Sequence, residues 1–219
     1  MAAYFNLSMQ FQRKNIYHTF VKDFYGVLED VGMKFKSGFW GFEGDSLEEI
    51  IEWNQEKLEQ NFCLGYMQHH KHDYKQVVYD FYGFSEARGF WMNQYPEGNA
   101  FTYEFIVPED EVVSYKCSGK QLLEDGSLCE VLTENFLDEQ VNILLTAAKK
   151  IWQFPYVCSI QTGLEASSAS AGLMELDMGG IPNIQPFAIV EKTSVAVKES
   201  KCLAIPMEGR KGILFRRRR

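Results

Sequence analysis

The stretch from Val77 to Val107, VVYDFYGFSEARGFWMNQYPEGNAFTYEFIV, decides the fold class. Tyr79, Phe81, Tyr82, Phe84, Phe90, Trp91, Tyr95, Phe101, Tyr103 and Phe105 crowd into it. Phe101, Tyr103, Phe105 and Val107 recur at a period of two, the spacing of a strand with one buried face. Pro96-Glu97-Gly98-Asn99 reads as the turn that joins this strand to one at 88–94, and a further strand is expected at 77–84. Pairing Met92 with Tyr103 would place Phe90 and Met92 on the core side and leave Trp91 beside Glu104 on the other. Rings on both faces of such a meander imply a solid core and spare aromatic surface for a partner.

Working outward toward the N-terminus, residues 63–76 carry no clear period. Leu47 to Phe62 reads as a helix, with Ser46 and Glu49 matching a capping box and Leu47, Ile51, Leu58 and Phe62 on one stripe. Trp53 falls off that stripe, where it packs sideways or is exposed. Ahead of it, Gly38, Gly41 and Gly44 punctuate SGFWGFEGDS. Glu43, Asp45, Glu48 and Glu49 surround the helix start and would repel a phosphate, so the segment is expected as a tight hairpin that inserts Phe39, Trp40 and Phe42 into the core. Ile16, Phe20, Phe24, Val27 and Val31 share a face at about 100° per residue, which predicts a helix over 14–31. His18 falls on its polar side. Residues 3–11 alternate weakly and are expected to form a first strand.

Toward the C-terminus, Pro108 and its acidic neighbours end the meander, and 117–130 is expected to be a turn-rich connection with a small hairpin. Val141, Leu145, Ala148 and Trp152 align on a helix over 136–153, which Pro155 bars from continuing. A strand near 156–164 follows. Residues 165–186, rich in Ser, Ala, Gly and Pro, read as a flexible loop with a short helix or strand at Leu173–Met178. Phe187–Glu191 and Ser194–Lys198 suggest a closing hairpin. No repeat or composition break divides the chain. Together these elements predict an α+β fold over residues 1–219, a mainly antiparallel sheet with about three helices packed on it, followed by a basic tail at 210–219.

Composition narrows the function classes. The 219 residues are 46% hydrophobic, 24% charged and 15% aromatic, a globular rather than disordered balance. Net charge is −8, and without the six basic residues in 210–219 the remainder balances at −14. Such a body disfavours phosphate backbones and favours basic protein partners. Nucleic acid is expected only through the Arg216–Arg219 run, itself expected to be a solvated terminus. Five scattered cysteines without a CxxC suit reduced thiols, and neither a signal peptide nor a membrane span is read. Cytoplasmic placement is the expectation.

Chemistry-bearing patterns are sparse. His69, His70, His72 and Asp73 sit together in HHKHD and could offer imidazoles and a carboxylate to a metal, which would suit a metal-dependent hydrolase. No HExxH, CxxC or separated ligand pair completes that set, so a solvated loop outweighs it and no metal, cofactor or catalytic residue is assigned. The stronger reading is a partner surface in which Trp53, Trp91 and Tyr95 are anchors and Glu97 and Glu104 supply charge.

With its acidic body and the aromatic run SEARGFWMNQYPEGNAFTYEFIVPEDE, the chain is similar in general character to the bacterial immunity proteins that neutralise polymorphic toxins. That resemblance implies a non-catalytic intracellular protein that binds a basic toxin domain one to one. It assigns no site residue.

Overall fold

The computed structural model describes residues 3–63, 72–93, 99–122, 127–164, 170–191 and 202–218. In chain order its strands and helices are β1 (Tyr4–Gln12), α1 (Phe20–Asp30), β2 (Lys34–Gly38), α2 (Leu47–Glu59), β3 (Val77–Asp80), β4 (Arg88–Met92) and β5 (Ala100–Pro108). There follow β6 (Val113–Leu122), β7 (Leu128–Phe136), α3 (Asp138–Ile151), β8 (Val157–Leu164), α4 (Leu173–Asp177), β9 (Phe187–Val190), β10 (Cys202–Pro206) and β11 (Ile213–Arg217). Among the described residues nine strands form one sheet in the order β10-β11-β9-β8-β1-β5-β4-β3-β2, with every pair antiparallel. Among the described residues β6 and β7 pair only with each other, as a longer ribbon than the small hairpin expected there. The fold is α+β, as the sequence pattern implies.

β1 is the central strand, and its alternation builds both faces. Phe5, Leu7, Met9 and Phe11 point inward, and Asn6, Ser8, Gln10 and Gln12 point outward. The inner face is covered by helices. Phe20 and Phe24 of α1 meet Phe11 at ring centroid distances of 5.4 and 5.1 Å, and residues of α2 and α3 join the same apolar cluster. α1 begins at Phe20 rather than Lys14, because Arg13 still donates its N–H to Asn99 and Ile16 is extended. α2 starts where the capping box sets it: the Ser46 hydroxyl accepts from the Glu49 N–H and Glu49 accepts from the Ser46 N–H. The buried Asn54 and Gln55 side chains then tie α2 to the backbone of Lys75 and of Val21 with hydrogen bonds of 2.8–2.9 Å.

Three sequence expectations are corrected. The first is register: Trp91 lies opposite Tyr103 and Phe90 opposite Glu104, one residue from the pairing expected, which exchanges the faces of β4. Gly89 explains the choice. A side chain there would meet the Tyr103 hydroxyl at 2.1 Å, so only glycine fits over the buried Tyr79–Tyr103 hydroxyl pair, and Trp91 shares its inward parity. The second is the basic tail. Ile213–Arg217 is a strand between β9 and β10, with Leu214 and Phe215 buried, and Arg210 donates to the carbonyls of Trp152 and Phe154 with its guanidinium 4.4 Å from the Trp152 ring. The third is the 165–186 loop, whose described part from Ser170 onward crosses the outer face of the sheet, while the short element expected at Leu173–Met178 is present as the helix α4. The Ser194–Lys198 strand lies outside the described residues, and β9 pairs instead with β8 and β11.

Candidate functional site

The outer face of the sheet has two halves, set by what lies over them. Over β8, β9 and β11, residues 170–184 form a strap. Ala171 and Leu176 pack on Val190 and Phe215, a small apolar cluster of their own. Polar pins hold the strap in place. Gln161 donates to the Ala171 carbonyl at 2.8 Å and accepts from the Ala171 and Asn183 N–H groups at 3.0 and 2.8 Å, and Gln10 donates to the same carbonyl. Ser159 donates to Gln10 beneath them. This buried row is hydrogen-bonded from strand to strand, which is what allows it to be buried. The strap turns Met174, Met178 and Ile181 outward, at 76%, 75% and 57% exposure.

Over β1, β5 and β4 the outer face is different. Tyr4 and Asn6 of β1, Phe90 and Met92 of β4, and Thr102, Glu104 and Ile106 of β5 are all half-buried. Arg88 shares this face. Its guanidinium lies 4.8 Å from the Tyr4 ring and 4.4 Å from the Phe39 ring, and it pairs with Glu86 at 2.5 Å. Next to Phe39, Trp40 stands 51% exposed with a φ of 64°, a left-handed conformation that costs a non-glycine residue energy. Phe39 and Phe42 are half-buried, so the expected insertion of all three rings is corrected for Trp40.

Glu104 sits in the middle of this half. The Ser8 hydroxyl reaches both its oxygens, at 2.7 and 2.6 Å. Burial pushes its carboxyl up to about 7, against the opposing effect of the Ser8 hydrogen bond. The raised value favours the protonated fold. The stability that this group contributes is therefore complete below its ordinary pKa and is lost as pH rises through about 7. Glu104→Gln should accordingly stabilise the protein by about 1–3 kcal/mol near pH 8.5 and by little near pH 5, as read by urea unfolding at both. A pH-independent difference would contradict this assignment.

The residues singled out in the sequence are thus dispersed. Glu104 is on the outer face. Trp91 is 1% exposed, ringed by Phe11, Phe20, Phe24, Tyr25, Phe101 and Tyr103, and its role as an anchor is corrected: it is a core residue. Half-buried Trp53 donates its indole N–H to the Asp73 carbonyl at 2.6 Å and lies under the ammonium groups of Lys57 and Lys75. Tyr95 and Glu97 lie outside the described residues, as do His69 and His70. His72 is exposed, and among the described residues no three His, Cys, Asp or Glu side chains gather as a metal would need. Sequence reasoning missed Phe90, Met92, Tyr4 and Ser8. The polar alternation of Asn6, Ser8, Gln10 and Gln12 was the available signal. Among the described residues no helix is long and apolar enough to cross a membrane. No family model matches the chain, and no curated protein matches it in sequence.

Proposed function

We propose that this is a non-catalytic protein-binding module that captures a basic protein on the outer face of β1, β5 and β4. The observation behind the proposal is the composition of that face: half-buried Phe90, Met92 and Ile106 around the Glu104 carboxylate, bordered by the strap with Met174, Met178 and Ile181. Half-buried aromatic and thioether groups give contact area at low ordering cost, and methionines adapt to a partner's shape. The acidic balance of the rest of the chain would speed the approach of a basic protein. An intracellular immunity role, with a basic toxin domain held one to one, fits these properties. The test is capture by the wild type against a folded Phe90→Asp variant, with loss of the basic partner expected in the variant and equal capture overturning the surface.

A further inference from the structure

The basic end of the chain is a strand, and the strand fixes where its arginines go. In β11, Leu214 packs into the main core and Phe215 into the small cluster under the strap, so successive side chains leave opposite faces of the sheet. Arg216 has the parity of Leu214 and donates to Asn142 Oδ1 of α3 at 3.4 Å, on the helix side. Arg217 pairs with Glu134 of β7 at 3.3 Å. Arg218 follows two places after Arg216. Together with Leu203 of β10, the cross-strand partner of Arg216, the three arginines line a cleft of about 600 Å³.

The donors in this cleft are within reach of solvent. Arg217 and Arg218 are exposed and Arg216 is half-buried. Arg216 spends one of its five N–H groups on a neutral amide. Among the described residues only Arg217 of the three is in an ion pair, which leaves two positive charges in the cleft. That arrangement selects among anions. A carboxylate has two oxygens and fills a single guanidinium fork. A phosphate monoester brings three terminal oxygens and a charge of about −1.5 to −2 near pH 7, enough to serve two forks and balance both charges. Residues two apart on a strand are separated by about 7 Å, a span that one phosphate held between two guanidiniums bridges. The chain's net charge of −8 works against a long phosphodiester backbone, which would lay further negative charge over it. Beside the arginines, Leu203 is 45% exposed and Ile205, next on the same face of β10, is 43% exposed, an apolar surface for the organic part of an ester.

We propose that Arg216 and Arg218 hold the phosphate group of a monoester whose apolar part lies on Leu203 and Ile205. The site is independent of the docking face, because β9 and β8 stand between it and β1 in the sheet. Charge-assisted hydrogen bonds from two guanidiniums fix the phosphate, and the hydrogen bond to Asn142 holds one of them in place.

The probe is hexyl phosphate, titrated into the full chain at constant ionic strength and followed through the arginine side-chain N–H signals of ¹⁵N-labelled protein. It should bind saturably near one to one and shift two arginine signals. Hexanoate, which offers a carboxylate instead, should bind about tenfold more weakly or worse. Arg216→Gln, which keeps a donor for Asn142, and Arg218→Ser should each weaken hexyl phosphate about tenfold or more, once thermal unfolding has shown both variants to be folded. Phosphatidylcholine vesicles with and without phosphatidic acid identify the source of the group. Retention that needs phosphatidic acid and is displaced by hexyl phosphate assigns it to a lipid headgroup, and hexyl phosphate binding without retention assigns it to a soluble ester. Either result upholds the site. No saturable response to hexyl phosphate, equal affinity for hexanoate, or unchanged affinity in both variants would overturn it. So would tighter binding of an oligonucleotide that lacks a terminal phosphate, which would make the cleft a nucleic-acid contact.

Discussion

Trp91→Ala should cost the fold about 3–5 kcal/mol, enough to leave a domain of this size largely unfolded at moderate temperature. The indole is 1% exposed and meets six rings, the nearest being Tyr103 with centroids 4.7 Å apart. Alanine would leave a void at the junction of α1 with β1, β4 and β5. The rings around it also pack on one another, so the cavity would not collapse fully. Urea or thermal unfolding checks the value. A variant with unaltered stability and lost partner capture would restore Trp91 to the surface that its sequence context suggested.

Leu214→Asp is the second substitution with a large expected effect, more than about 4 kcal/mol or outright failure to fold. Leu214 is 1% exposed on β11, opposite Ile189 of β9 and Ile205 of β10. A carboxylate there would be buried among apolar side chains without a cation. Arg218→Ser, four residues on and exposed, should leave the melting temperature within the range of an ordinary surface change. The contrast separates a structural strand from a solvated basic terminus. Equal tolerance of both changes would show that residues 213–217 are dispensable to the sheet.

The two cases show where sequence reasoning ran out. In β5 the alternation of Phe101, Tyr103, Phe105 and Val107 has polar or smaller residues between, and its inward face was legible. In β4, Phe90, Trp91 and Met92 are all apolar, so hydrophobic pattern alone could not choose between two registers. The choice was made by Gly89, whose lack of a side chain admits the Tyr103 hydroxyl, a contact between strands that no single segment reveals. The C-terminal strand was hidden by composition. Ile213, Leu214 and Phe215 form a short apolar run between basic residues, and Arg216 and Arg217 read as a tail although Arg216 reaches Asn142 and Arg217 reaches Glu134. α2 was legible in detail because its cap is local: Ser46 and Glu49 satisfy each other within one turn. The strap was not. Its order comes from Gln10 and Gln161, which are up to 161 residues from Ala171 in sequence.

Of the candidate site, the sequence yielded Glu104 and the idea of spare aromatics on a sheet. The ring on the outer face is Phe90 rather than Trp91. A one-residue change in register moved the tryptophan into the core and brought the phenylalanine out beside the carboxylate.

The most direct test of the docking face is stoichiometric capture from extract of the producing cells by three tagged proteins: wild type, Phe90→Asp and Lys120→Ser. Lys120 lies on the exposed β6–β7 ribbon, outside the proposed surface. Circular dichroism and unfolding would first establish that all three are folded. The account predicts that one basic protein is retained near one to one by the wild type and by Lys120→Ser and is lost from Phe90→Asp. Retention of that protein by all three, or its loss only from Lys120→Ser, would contradict it.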